Sequence, residues 1–398
     1  MNNDILFAWI YPEGALSPVL CGALELLGGR RCIFQYDDAW LAHPDRFSLS
    51  ADMPLHPGAI EPPPGLDLHP IFEDAGPDRW GKNIINKVFN PRRRSPLEYL
   101  ELAGEGRIGA LGFSRSNNEY IVASEQAFQT ADLPDLMRAA NTLSAQLPID
   151  EDLRRLLRPG ASAGGARPKA IITHENASWI AKFPSLEDEV DVCAIEHASL
   201  RLAERCGIDA AETQLVKIGN NNVLLVKRFD REHSFRVHLA SARTMLIAEG
   251  IADSEMGYPD LADVARRLSQ EPGKDCKELF RRMLLNVLFE NTDDHDKNHA
   301  FLFKHGAWQL SPAYDFQPQL QAIGYQQLRV GRDGYAPTVA NVLSEANRFL
   351  LRSDEAAEIV NKAIDVSQDW QSIFRQEGVS QADIDICARY VLQPIMFE

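Results

Sequence analysis

Three residues in the last third of this 398-residue chain have the types and spacing to do chemistry together. Asp293 and Asn298 stand five positions apart in Asn291-Thr-Asp-Asp-His-Asp-Lys-Asn298, and Asp315 follows seventeen positions later within Tyr314-Asp315-Phe316. Such a set suits phosphoryl transfer. One carboxylate can stand near an attacking hydroxyl, while an amide and a second carboxylate hold a Mg²⁺ ion that bridges the phosphates. The chain must then also carry elements that present a polyphosphate.

A candidate lies upstream. Ser162, Ala163, Gly164, Gly165 and Ala166 form a run of small residues whose backbone N–H groups could approach phosphate oxygens. Two apolar runs follow, Ala170 to Thr173 and Trp179 to Phe183, and the polar His174 to Ser178 between them predicts a β-hairpin. Lys182 is central on the second strand. It would be costly to bury there without an anion, so it suits the α/β-phosphates of ATP; a place on the solvent face of the hairpin is the plainer reading. Glu196, on a helix predicted from Val190 to Cys206 and ended at Gly207, is a candidate partner for Lys182 or an ordinary exposed helix glutamate. A buried strand, Asn222 to Val226, runs into Lys227, Arg228 and Phe229. These residues could offer backbone groups to an adenine edge, or simply end a strand with Asp230 capping the next turn. Loop, hairpin, helix, strand and a helical second half give the element order of protein-kinase N- and C-lobes, and the Asp293–Asn298 spacing is that of a kinase catalytic loop.

Other readings of the same loop are weaker. His295 and His299 have helical i,i+4 spacing, but no Glu follows the first His and no third zinc ligand is evident. A calcium loop starting at Asp294 lacks Gly at its sixth position and has His305 at its twelfth. His295 is expected to order the loop structurally.

The surrounding chain sets limits. A formal net charge of −16 argues against the whole surface binding nucleic acid. The local clusters Arg92-Arg93-Arg94, Arg154-Arg155, Arg266-Arg267 and Arg281-Arg282 read as solvated faces or internal ion pairs, with a partner contact as the alternative. Six cysteines lie scattered without a Cys-x-x-Cys pair, which suits structural thiols in a reducing cytosol. There is no run of about 18 apolar residues for a membrane span, and Met1-Asn-Asn-Asp4 lacks the basic start of a secretory signal, so a cytoplasmic place and no membrane partner are expected. Alternation in Phe7-Ala-Trp9-Ile10 and Cys32-Ile-Phe34-Gln-Tyr36, with Gly28-Gly29 between, predicts short antiparallel strands. A proline-rich loop covers Pro54 to Pro70, a helical pattern runs from Asp78 to Phe89, and a glycine-rich return spans Gly104 to Gly112. The expected fold is α+β: a strand-rich N-terminal subdomain over residues 1–124, then a two-lobed protein-kinase-like body over 125–398. Its N-lobe covers about 125–230 and its mostly helical C-lobe about 231–398.

These segments together resemble the HipA family of bacterial serine/threonine kinases, the toxins of type II toxin–antitoxin pairs. The resemblance covers nearly the whole chain. It runs through Phe34 to Trp40, Phe72 to Gly81, Gly109 to Phe113, Ser162 to Lys169, Ala181 to Pro184, Val226 to Arg231, Asn291 to Asn298 and Ser311 to Asp315. It implies that Asp293 is the catalytic Asp, that Asn298 and Asp315 hold Mg²⁺, and that Lys182 binds ATP together with the Ser162–Lys169 loop, Lys169 included. Lys297, beside Asn298 in the family's loop, would support the site with His295 and Glu196. Ser162 would be an autophosphorylation site that switches the kinase off. Family toxins phosphorylate aminoacyl-tRNA synthetases and bind a small helix-turn-helix antitoxin of the HipB kind, so DNA would be met indirectly. His238 to Thr244 departs from the His-Gln-Glu-Asp-like segment of better-known members, and Arg167-Pro168 stands where several relatives carry Gln-Glu. These departures mark a divergent branch. A small-molecule phosphotransferase and a non-catalytic pseudokinase that regulates transcription with a partner are the alternative functions.

Overall fold

The alternating N-terminal residues close into a four-stranded antiparallel sheet, β1 (Ile5–Ile10), β2 (Val19–Leu27), β3 (Arg31–Tyr36) and β4 (Leu111–Ser114), in the order β3-β2-β1-β4. Period-two burial explains it: Cys32, Phe34 and Tyr36 on β3 point into the core. Gly28 and Gly29, with φ of 61° and 75°, make the left-handed turn between β2 and β3. A Cβ on Gly22 would sit 2.3 Å from the Gln35 carbonyl oxygen, so the two strands can approach closely there only with glycine. The structure is a computed structural model and describes residues 4–121, 127–157, 167–321 and 324–397. It divides into two units: Met1–Glu187 with Leu225–Ala240 and Leu302–Gly306, and Asp188–Leu224 with Ser241–Phe301 and Ala307–Glu398.

In the first unit the helix Arg79–Val88 starts at Asp78, whose Oδ1 accepts from the Gly81 N–H at 2.7 Å. It buries Trp80, Ile84, Ile85 and Val88, and Trp80 Nε1–H donates to the Lys169 carbonyl at 3.2 Å. Lys169 opens the predicted hairpin, β5 (Lys169–His174) and β6 (Ala177–Lys182). Glu175 and Asn176 both have positive φ, 49° and 60°, the signature of the two-residue turn whose twist matches its strands. The unit also contains a buried charged cluster. The Asp230 carboxylate accepts from Arg228 Nη2 at 2.7 Å, Arg231 Nη1 at 2.8 Å and the Gly109 N–H at 2.8 Å. The remaining guanidinium donors reach the carbonyls of Gly106, Arg107 and Gly109. The glycine-rich return before β4 is thereby fastened to residues 228–231.

In the second unit, β7 (Thr213–Ile218) and β8 (Asn221–Lys227) turn at Gly219, with φ of 60°, and β8 runs on to finish in the first unit. The expected helix forms over Val192–Arg205, capped by Asp191 and ended at Gly207, with φ of 82°. The helix Pro272–Leu288 is largely buried in its second half, with Leu279, Phe280, Met283, Leu284, Val287 and Leu288 all in the core. Residues 300–310 form two strands, Ala300–Lys304 and Ala307–Leu310, within the mostly helical part. Five apolar-rich residues before His305 and Gly306, both at positive φ, are too few for a helix but enough for a strand. Among the described residues no helix is long and apolar enough to cross a membrane.

Candidate active site

The helix Pro272–Leu288 delivers the chain directly to Asn291. It lacks a glycine stop: Glu290 itself takes the left-handed conformation, φ 49°, and the Asn291 N–H donates back to the Asn286 carbonyl at 2.9 Å. From there the loop alternates. Asn291, Thr292 and Asp294 are buried while Asp293 between them is exposed. Asp294 accepts from the Tyr258 hydroxyl and, at 3.0 Å, from His299 Nε2–H. Burial, and then the Asp294 charge beside it, push the Tyr258 phenol well above its ordinary value, so it stays protonated and donates. Asn286 Nδ2 donates to the Tyr258 oxygen at 2.7 Å, and Asn291 Nδ2 donates to Asn286 Oδ1 at 2.7 Å.

On the outer side, Arg243 clamps the loop. Its N–H donates to the Asp296 carbonyl at 3.0 Å and its Nη1 to the Asp296 carboxylate at 2.9 Å. Arg243 belongs to the His238–Thr244 segment that departs from the better-known sequences. Asn298 is buried, and its Nδ2 donates to the Asp293 carbonyl at 3.2 Å, which turns the amide oxygen away from that contact as a potential metal ligand. Lys297 is exposed; its N–H donates to His295 Nδ1 at 3.1 Å and its carbonyl accepts from the Tyr314 hydroxyl at 2.8 Å. This bond ties the stretch before Asp315 to the stretch before Asn298. A small cavity of about 20 Å³ is lined by Asn291, Asp294, Asn298, His299, Tyr314 and Phe316 among others, so both stretches meet at one place.

Asp315 is held from both sides. Arg282 Nη2 donates to the Ser311 carbonyl at 2.7 Å, the Ala313 N–H donates to the Asp209 carbonyl at 2.7 Å, and the Phe316 ring stacks edge-on against Phe289, centroids 5.8 Å apart. Asp315 has φ of 57°, a conformation a non-glycine residue adopts at a cost of about 1 kcal/mol or more. Asn298 and Asp315 would offer an amide oxygen and a carboxylate, a donor set that fits Mg²⁺.

The hairpin carries the second half of the expected set. Lys169 and Lys182 are cross-strand partners, so their side chains share one face with the partner pair Ile171 and Ile180. Like charges placed directly opposite repel, and a face with two ammonium groups beside two half-buried isoleucines suits a polyphosphate with an apolar base. Lys169 is buried, its Nζ 3.8 Å from Asp78 Oδ2. Of the residues expected to pass the adenine, Lys227 places its ammonium over the Trp179 ring, 5.8 Å from the centroid. Arg228 turns inward: its N–H donates to the Ser178 carbonyl at 3.0 Å and its guanidinium belongs to the Asp230 cluster. Phe229 is half-buried, and Glu196 is buried on its helix in the second unit. Ser162, Ala163, Gly164, Gly165 and Ala166 lie outside the described residues.

His295 is 44% exposed at its side chain; its Nδ1 accepts from the Lys297 N–H at 3.1 Å and its carbonyl accepts from the Asn298 N–H at 2.9 Å. The histidine that sits beneath the loop is His299, and the residues sequence reasoning missed are Tyr258, Asn286, Asn291, Asp294 and His299.

An α+β, protein-kinase-like fold that brings a loop Asp, an Asn and a following Asp to one unit defines the class of protein. The HipA-like C-terminal domain family matches residues 161–370 and the HipA N-terminal domain family matches residues 15–114. The chain belongs to the HipA family. The protein named "Putative kinase Y4mE" from Sinorhizobium fredii is 25% identical over 323 residues, 74% of this chain and 73% of that protein. The similarly named Y4dM of the same organism is 29% identical over 357 residues, 84% of this chain and 81% of that protein. Among solved structures, the Shewanella oneidensis toxin–antitoxin complex of HipA, HipB and operator DNA contains a chain of like fold, with a TM-score of 0.71, 15% identity and coverage of 96% of this chain and 94% of that one.

Proposed function

We propose that this chain is an ATP- and Mg²⁺-dependent serine/threonine protein kinase acting as a HipA-type toxin. The observation that carries the reading is the catalytic loop. Asp293 is exposed while its neighbours are buried, and Asn298 and Asp315 are fixed in the same unit. Asp293 would orient the acceptor hydroxyl and take its proton as the new P–O bond forms and ADP departs. Asn298 and Asp315 would hold Mg²⁺, which when bound neutralises the phosphate oxygens. Lys182 and Lys169 would bind the polyphosphate, and the backbone from Lys227 to Phe229 would line the adenine. Glu196, His295 and Lys297 would support the site.

The finer parts belong to the same reading: a translation-related protein such as an aminoacyl-tRNA synthetase as substrate, autophosphorylation on Ser162, a HipB-like antitoxin as partner and DNA reached through it, all in the cytoplasm. So does the division into residues 1–124 and a kinase body from 125. Two relatives named as putative kinases support the kinase part of the reading, and a structural neighbour solved with HipB and operator DNA supports the antitoxin partner.

The test is direct. Purified protein incubated with γ-labelled ATP and Mg²⁺ should transfer label to protein, with mass spectrometry finding phosphate on Ser162. ATP with Mg²⁺ should raise the melting temperature by ligand linkage, and Lys182→Ala should abolish that rise while the apo protein stays folded. A melting curve unmoved by millimolar ATP-Mg²⁺ would overturn the nucleotide site. Label appearing only on small molecules would replace the protein kinase with a metabolite kinase.

A further inference from the structure

Arg282 lies on the helix that feeds the loop and is only 3% exposed, so its guanidinium donors must be met inside the protein. Two bonds set the plane of the group. Nε–H donates to Glu278 Oε1 at 3.0 Å, one turn back along the helix, and Nη2 donates to the Ser311 carbonyl at 2.7 Å, ahead of Asp315. Glu278 is itself buried, and the same Oε1 accepts from the Asp209 N–H at 3.1 Å, which holds the carboxylate in place. A guanidinium is rigid and planar, so these contacts also decide where Nη1 points. Nη1 is buried and reaches no acceptor among the described residues. A charged donor left in that state costs more than a neutral one.

The end of the loop supplies an atom of the opposite kind. His299 gives its Nε2–H to Asp294, so its Nδ1 carries the lone pair, and that atom too is buried with no partner among the described residues. Both residues line the cavity of about 20 Å³, together with Asn291, Asp294, Asn298 and Tyr314. The space suits one water molecule. An anion there would answer Arg282 but meet the charge of Asp294 on the same wall, and a cation would meet the guanidinium. Water both accepts from one wall and donates to the other. We infer that the cavity holds one internal water, which accepts from Arg282 Nη1–H and donates to His299 Nδ1. Arg282 is then a positioning residue. Its Nη2 holds the stretch leading to Asp315, and through the water its Nη1 holds the end of the loop that carries Asn298. It touches no reacting atom. The inference rests on the phosphoryl-transfer reading for its effect on metal and rate, but not for the water itself.

A crystal structure of the full wild-type chain, at a resolution that shows ordered water, tests the first half. A water peak within hydrogen-bond reach of both Arg282 Nη1 and His299 Nδ1 is expected. No density there overturns the inference, and so does an anomalous peak in crystals soaked in bromide, which would mark an anion. The positioning role is read in Arg282→Lys, which keeps a positive charge beside Glu278 but has no fork to serve the Ser311 carbonyl and the water together. The Mg²⁺ concentration for half-maximal label transfer from ATP should rise by roughly 10- to 100-fold, the usual effect of removing an outer-sphere support. KM for ATP at saturating Mg²⁺ should stay within about threefold, because the hairpin lysines are untouched. Without nucleotide, hydrogen exchange should quicken at residues 291–299 and 311–316 and stay unchanged elsewhere. Unchanged Mg²⁺ dependence and exchange, or exchange quickened throughout the chain, overturns the positioning role. If the wild type transfers no label, the kinase reading fails by itself. The density and the exchange still decide: a bridging water with quickening confined to those two stretches supports the inference, and the loss of either sinks it.

Discussion

Asp230 and Asp294 are both aspartates buried to within a few per cent, one in each unit, yet they are satisfied by opposite means. Asp230 sits among two guanidinium groups and a backbone N–H, and those guanidinium groups also donate to the backbone carbonyls of Gly106, Arg107, Gly109 and Asp230. Burial alone would raise its pKa; Arg228 and Arg231 more than offset this and hold the carboxyl well below the usual range. Asp294 has a phenol and an imidazole. A carboxylate tied by several charged, bidentate donors is a fastener, since every bond must break at once for it to move. A carboxylate held by two single donors from different elements is a pivot whose orientation depends on each. The first kind of burial joins segments distant in sequence, residues 106–109 and 228–231. The second ties a loop to the start of the helix Tyr258–Leu268.

The largest effect should come from the carboxylates of the candidate site. Asp293→Asn or Asp315→Asn should lower phosphoryl transfer by about 10²- to 10⁴-fold with a melting temperature near wild type, as initial rates with labelled ATP would show. Asp230→Ala should do the reverse. Removing the partner of two buried guanidinium groups costs about 3–5 kcal/mol, read as a lowered midpoint in urea, while the rate per folded molecule changes little. An Asp230→Ala protein of unchanged stability would show that the cluster is ornament rather than fastener.

Acid separates the fastener from its neighbours in the same unit. His238 is buried with its Nε2–H on the Leu49 carbonyl at 2.9 Å, and burial lowers its pKa to about 4. The folded state therefore keeps His238 neutral while the unfolded chain takes up a proton below its ordinary 6.5. Stability is lost as pH falls from 6.5 towards 4, by on the order of 3 kcal/mol for this group. Asp230 works in a lower window. Its contribution is fully present above the ordinary carboxylate value of 3.8 and fades as pH falls through the depressed folded value. Urea midpoints measured across pH should slope between 6.5 and 4, and His238→Gln should flatten that part of the slope while the drop below 3.8 persists.

The parts of this molecule that chain periodicity encodes were legible in the sequence. The β5–β6 hairpin, the helix ending at Gly207 and the helix before Asn291 follow from local alternation, caps and glycine, which act over a few residues. The candidate ligands stand out in the sequence by type and spacing, which the chemistry sets. What could not be read was which polar residues turn inward. Arg228 is expected to offer only backbone groups to an adenine edge, and its guanidinium is committed to Asp230 and to carbonyls of residues 106 and 107, about 120 positions away, which no local pattern signals. Tyr258 meets Asp294 across 36 positions for the same reason. His295 and His299 differ by four positions in sequence, yet only the fold decides which of them is buried.

The smallest effect tests whether the constrained backbone at Asp315 belongs to the site or only to the fold. Leu350 offers the comparison, because it has a similar φ, 60° against 57° for Asp315, and lies in the same unit. Leu350 ends a short 3₁₀ turn and is 49% exposed, so its left-handed conformation serves as a cap and its side chain contributes little packing. Leu350→Gly should stabilise by about 0.5–1 kcal/mol, because glycine relieves the Cβ strain at a half-exposed position, and turnover should not change. Asp315→Gly relieves the same strain but removes the carboxylate, so it should hold or raise the melting temperature while phosphoryl transfer is lost. Equal responses in the two variants, both stable and both active, would mean that the bend at Asp315 is a chain-turning device like the one at Leu350. Opposite responses in activity with like responses in stability would show strain kept for the sake of a ligand.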